Sequence, residues 1–127
     1  MLFLERIWSR NGHKIKLCDV VPFIVMKGMA LYDRLKEKDA WDIYFCIKNF
    51  EGGIQAFAKE FLPLKENKLA VDGLAKIRSK FSTIDSMGPS SVVAFEEVAD
   101  KEEQDRLKRD AFEQVNALLN ILEIESF

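Results

Sequence analysis

The spacing of apolar residues after Val20 constrains this chain more than any other feature. Phe23, Ile24, Ala30 and Leu31 recur at helical intervals to about Lys36, the i, i+3, i+4 pattern of a helix with one buried face. Pro22 suits the first turn of that helix, where its missing N–H costs nothing. A second helix is predicted from Asp39, which with Asp42 three residues on forms a weaker relative of the capping box. Gly52 and Gly53 end it. Ile54, Phe57, Ala58 and Phe61 continue at helical spacing until Pro63 stops the pattern. A fourth segment after Asn67 carries Val71, Leu74, Ile77 and Phe81 on one stripe. Ser82 to Ser91 reads as a long punctuated loop, and Val92 to Val98 as a short helix. Asp100 with Glu103 caps the clearest helix, striped by Leu107, Ala111, Val115, Leu118 and Leu122. Its other face, with Lys101, Glu102, Asp105, Lys108 and Arg109, reads as solvated.

The front of the chain follows a different period. Ile15 and Leu17 alternate with Lys14 and Lys16, Phe3 and Ile7 share one parity, and Asn11-Gly12 between them tolerates positive φ. That combination predicts a β-hairpin over residues 1–19. A two-stranded ribbon is marginal alone, so it must pack on the helices or on strands this sequence does not contain. The expected fold is mainly α: an antiparallel bundle of about five to six helices, residues 20–127, behind a short N-terminal β-hairpin, all in one domain of 1–127.

Composition removes several function classes. The 19 Lys and Arg nearly balance 21 Asp and Glu, a net charge of −2, so nucleic-acid binding would need a local patch. Arg6, Arg10, His13, Lys14 and Lys16 would supply one on the hairpin, although lysines on the outward face of an edge strand also have a purely solvating role. With Cys18, Cys46 and a single histidine, His13, no Cys/His metal cluster can be built. Cysteine usage predicts a reducing, cytoplasmic compartment. No apolar run approaches the roughly 20 residues a membrane span needs.

Most of the stripes need only a core. Lys27 needs more, because the residues three and four positions away are Phe23, Ile24, Ala30 and Leu31, which puts its ammonium on the apolar face. It must snorkel to water or be held by carboxylates. Gly28 beside it weakens the helix and implies close approach of a backbone or a ligand. Asp39, Asp42 and Cys46 share one side of the second helix, among Trp41, Ile43, Tyr44, Phe45 and Ile47. A short connection makes the two helices antiparallel neighbours, so Lys27 can face Asp42. Asp39 is read either as an N-cap or as a site residue, and Asp42 as a dipole-favoured carboxylate, a buried partner of Lys27, or part of a phosphate site.

The run from Met26 to Ile47, MKGMALYDRLKEKDAWDIYFCI, resembles the core of the nucleotidyltransferase AbiEii/AbiGii toxin family. The matching positions are Lys27 with Ala30, then Arg34, then Lys38-Asp39-Ala40-Trp41-Asp42-Ile43-Tyr44. The resemblance implies a DNA-polymerase-β-like enzyme that transfers nucleotides from an NTP with Mg²⁺, some members acting on tRNA ends beside a cognate antitoxin. It implies that Lys27 contacts the triphosphate, that Asp42 or else Asp39 is the downstream essential aspartate, and that Arg34 is a further phosphate contact. Trp41 and Tyr44 are expected to pack.

One departure is large. The family begins with a sheet bearing a Gly-Ser type turn and a D-x-D pair that holds Mg²⁺, and no such segment precedes Lys27. Gly52-Gly53 has no acidic strand after it. The expectation is a C-terminal, substrate-side piece of such an enzyme, a truncated frame or a half complemented by another chain, inactive alone and without tight binding of Mg²⁺ or NTP. That reading predicts Lys27 and Asp42 in an open cleft. The alternative is a non-catalytic helical interaction module, antitoxin-like or homodimerising, with a closed Lys27–Asp42 pair and an exposed apolar patch. A small hydrolase using Asp39 and Asp42 ranks below both.

Overall fold

The computed structural model describes residues 17–125. They form six α-helices: α1 (Leu17–Arg34), α2 (Glu37–Asn49), α3 (Gly53–Phe61), α4 (Lys68–Lys80), α5 (Met87–Glu96) and α6 (Lys101–Ile121), with a short 3₁₀ turn at Leu62–Leu64. No strand occurs among the described residues. The expected mainly helical fold is therefore observed, while the hairpin over 1–16 and its basic patch lie outside the described residues.

The hairpin boundary needs one correction. Leu17, Cys18 and Asp19, assigned to its second strand, are the first turn of α1. Leu17, Val20, Val21 and Ile24 already follow the i, i+3, i+4, i+7 spacing, which overrides a short alternation that ends on the same leucine. Pro22 consequently sits inside the helix, on its exposed side, instead of opening it.

Two further boundaries differ. α2 begins at Glu37, with Lys36 at the N-cap position making no side-chain cap bond, so Asp39 is an interior residue of the first turn and not the cap. Its carboxylate is taken by cations from α1, described below. The long loop is also shorter than expected, because α5 starts at Met87. Pro89 lies in that first turn, where no intrahelical N–H is required. Ser86 ahead of it ties the turn down, its Oγ donating to Lys80 O at 3.0 Å.

The remaining caps follow the sequence. Asn67 accepts from Ala70 N and Asp100 from Glu103 N. Gly52 and Gly53, with φ of 95° and 83°, make the left-handed turn between α2 and α3 that side chains resist. Ala111, Val115 and Leu118 of α6, and Leu122 at its C-cap, are all buried. They close one core with Val20, Ile24 and Leu31 of α1, Ile43 and Ile47 of α2, Phe57 and Phe61 of α3, and Leu74 and Ile77 of α4.

The connections set how α1 meets its neighbours. Leu35 and Lys36 alone separate α1 from α2, and Leu35 takes a φ of 55° to reverse the chain. The two helices run antiparallel, with Arg34 reaching Asp39 and Lys27 reaching Asp42. α4 packs against α1 more extensively, and in parallel: Val25 lies against Gly73, and Tyr32 against Lys76 and Lys80. Gly28 is the hinge of that contact, since a Cβ there would lie 2.5 Å from Gly73 O. The bundle is thus antiparallel at α1/α2 but not throughout. No helix among the described residues is long and apolar enough to cross a membrane.

Candidate functional site

Lys27, Arg34, Asp39 and Asp42 converge on the junction of α1 and α2. Lys27 projects from the middle of α1, its Nζ donating to Asp39 Oδ1 at 2.9 Å and lying 2.9 Å from Asp42 Oδ2. Arg34, two turns later on the same helix, donates through Nη2 to both oxygens of Asp39 at 3.0 Å. Lys38 Nζ donates to Asp42 Oδ1 at 2.9 Å from one turn away on α2. Three cations thus surround two carboxylates, leaving the cluster with one excess positive charge. Asp39 and Asp42 also lie in the first half of α2, where the helix dipole favours negative charge.

Burial divides these groups into two tiers. The Asp39 and Asp42 side chains are 2% and 0% exposed and that of Lys27 11%, whereas Arg34 and Lys38 are 53% and 41% exposed. The Lys27 ammonium also lies 5.5 Å from the Phe23 ring centroid, a cation–π contact that partly compensates its lost hydration. The expected open cleft is therefore not what the described residues form: Lys27 is enclosed by two carboxylates and a ring, with only Arg34 and Lys38 reaching water. The two contacts of Lys27 are unequal. That to Asp39 is a hydrogen bond, while that to Asp42 has ion-pair distance without hydrogen-bond geometry, so Asp42 Oδ2 is buried without a hydrogen-bond donor.

Cys46 faces this cluster from the next turn of α2, and burial pushes its thiol up to about 12, with the Asp42 charge adding to the effect. It stays a protonated, packed thiol and not a nucleophile. The same carboxylates do not suit a metal ion. Both already hold ammonium or guanidinium groups, and no cluster of three potential ligands occurs among the described residues. Asp39 and Asp42 thus offer no ligand set for Mg²⁺ of the kind the family resemblance implies.

The opposite side of α2 was expected only to pack. Tyr44 does so, but its hydroxyl donates to Asp110 Oδ2 of α6, and Lys48 Nζ donates to Tyr44 Oη at 3.0 Å and to Asp110 at 2.7 Å. Burial first, and the Asp110 contact second, raise the Tyr44 phenol to about 12. Burial would raise Asp110, but the hydrogen bonds from Lys48 and Tyr44 outweigh it and leave the carboxyl below its ordinary value. Trp41 is partly exposed, stacks on Phe45 at 4.6 Å and donates from Nε1 to Glu96 Oε2 at 2.9 Å.

No protein-family model, curated protein or solved structure matches this chain. The meaning of the cluster therefore rests on its geometry. Of the groups found there, Lys38 was missed as a site residue, although its i, i+4 spacing to Asp42 was available in the sequence. Phe95, which meets Trp41 from α5 at 5.2 Å, had no signal, because the two residues are far apart in the chain and only the fold brings them together.

Proposed function

We propose that these residues form the helical, substrate-side part of a nucleotidyltransferase-like protein, in which the Lys27 cluster receives the phosphates of a nucleoside triphosphate. Metal-holding acids would come from a sheet outside the described residues. The observation that carries the reading is the convergence of Lys27, Arg34, Asp39 and Asp42 at contact distances of 2.9 to 3.0 Å. Burying so many charges is costly, and an apolar junction would hold the helices as well, so chemistry is a reason to keep them.

The exposed Arg34 and Lys38 and the excess positive charge draw an anion to the rim. Lys27 then reaches a phosphate oxygen by exchanging one carboxylate for it. The Asp42 contact, which is not a hydrogen bond, yields first, and Asp39 keeps the lysine oriented. Lys27 thus neutralises phosphate charge, Asp39 and Asp42 position it, and Arg34 is a second phosphate contact.

A second reading has its own support. The near-complete enclosure of Lys27 is what a structural salt bridge in a non-catalytic interaction module would have. Calorimetric titration with inorganic tripolyphosphate separates the two. Saturable binding, weakened about fivefold or more by Arg34→Ala and by Lys38→Ala, supports the phosphate site. Absence of binding, or equal binding by both variants, leaves the interaction module. Labelled NTPs, Mg²⁺ and total tRNA should show no transfer by this chain alone; robust transfer would overturn the incomplete-enzyme reading.

A further inference from the structure

Lys38 ties the Lys27 cluster to α5. Its Nζ, 2.9 Å from Asp42 Oδ1, lies over the Trp41 ring of its own helix and over the Phe95 ring of α5, 5.7 Å from each centroid. Both distances fall within cation–π range, and the two rings meet at 5.2 Å. The Trp41 indole N–H donates to Glu96 Oε2 at 2.9 Å. Two consecutive residues in the last turn of α5 therefore build this seat: Phe95 supplies one ring and Glu96 holds the other in place.

The seat is needed because the Lys38–Asp42 pair is weak by itself. Lysine precedes aspartate at i, i+4, the less favourable order on a helix. The lysine side chain is also 41% exposed, a setting in which an ion pair contributes little. Asp42, by contrast, requires a cation, since its side chain is fully buried and its Oδ2 receives no hydrogen bond. While Lys27 rests against Asp42, the carboxylate has two cations. Once Lys27 turns to a phosphate, Lys38 is what remains, and a buried carboxylate stripped of its partners is strongly unfavourable. Lys27 can move only while Lys38 stays.

We infer that Trp41 and Phe95 are positioning residues that hold Lys38 on Asp42, so that the last turn of α5 regulates the release of Lys27 toward a phosphate. This regulation rests on the phosphate reading of the cluster. Displacing that turn takes a ring from Lys38, loosens it from Asp42 and leaves Lys27 tied to both aspartates.

Two measurements test the seat and its use. In the first, the full chain carrying lysine labelled with carbon-13 at Cε is followed by NMR, the Lys38 signal being assigned by its loss in Lys38→Ala. Ring currents should place that signal upfield of its position in the urea-unfolded chain, and Phe95→Leu should move it part of the way back. In the second, tripolyphosphate is titrated calorimetrically. Phe95→Leu keeps the apolar bulk of a residue already 37% exposed, so its circular dichroism spectrum should be unchanged. It should weaken binding about threefold, the worth of one exposed cation–π contact, whereas Phe95→Tyr, which keeps a ring, should bind as the wild type does. Lys38→Ala should weaken binding more, and adding Phe95→Leu to it should weaken binding no further, because the ring acts through the lysine. Equal affinity in Phe95→Leu and wild type, or additive losses in the double variant, would overturn the regulation and leave the phosphate reading standing. A Lys38 signal at its unfolded position in the folded wild type would overturn it on geometry alone. Failure of the wild-type chain to bind tripolyphosphate would sink the phosphate reading itself, and the regulation with it.

Discussion

Lys27 and Gly28 are consecutive residues of α1, yet they meet opposite neighbours by opposite means. Lys27 joins α1 to α2 through charge, with two carboxylates that have almost no contact with water. Gly28 joins α1 to α4 through closeness, leaving no room for even a methyl group beside Gly73 O. The glycine contact works by shape and is indifferent to pH and salt. The lysine contact depends on every partner being present, because each group left alone would be a buried charge. One side of the helix is therefore held by shape and the other by a set of charges that is stable only when complete.

The sharpest way to break this comparison is to remove one partner. Asp42→Ala leaves Lys27 with a single carboxylate and should cost about 3 to 5 kcal/mol in denaturant unfolding. The combined Lys27→Met, Asp39→Leu, Asp42→Leu variant, which removes all three buried charges, should recover most of that loss. If the single variant costs less than about 1 kcal/mol, the charges are better hydrated than their burial implies.

Next in size is Gly28→Ala. Its new methyl meets a backbone carbonyl that cannot rotate away, together with the more yielding Ile77 side chain. A net loss of about 2 kcal/mol is expected after the gain in helix propensity, measured at two salt concentrations. The loss should not change with salt; a salt-dependent loss would mean that the two sides of α1 are coupled.

A smaller effect is expected from the Tyr44 link between α2 and α6. The fold favours the neutral phenol, which titrates near 12 instead of 10. Because the folded value is the higher one, this contribution is whole below about pH 10 and is lost as pH rises toward 12. Tyr44→Phe should flatten the fall of stability over that interval, and an unchanged slope would show that the phenol does not report on this contact.

The smallest change concerns the turn that sets the α1/α2 register. Leu35 is exposed and left-handed, at a φ of 55°. Leu35→Gly should therefore raise stability by about 0.5 kcal/mol, relief of steric strain exceeding the added chain entropy. A loss in thermal unfolding would mean that the leucine side chain is itself needed at the turn.

The helices and most of their faces were legible in the sequence, because apolar spacing, Asn67, Asp100 and the Gly52-Gly53 pair act over a few residues. The same locality explains the misjudged boundaries. Leu17 satisfies both periods, Pro89 is as acceptable in a first helical turn as in a loop, and Asp39 looks like a cap until Lys27 and Arg34 compete for it. For the site, the sequence by itself determined that Lys27 lies on an apolar face and must either snorkel to water or be held by carboxylates, since burial of an unpaired ammonium is too costly. Only the tertiary structure decided that both aspartates close around it, that Lys38 joins them, and that Phe95 comes to Trp41 beside Lys38. Those outcomes depend on contacts between residues distant in the chain, whose geometry is fixed by how whole helices pack and not by the spacing within any one of them.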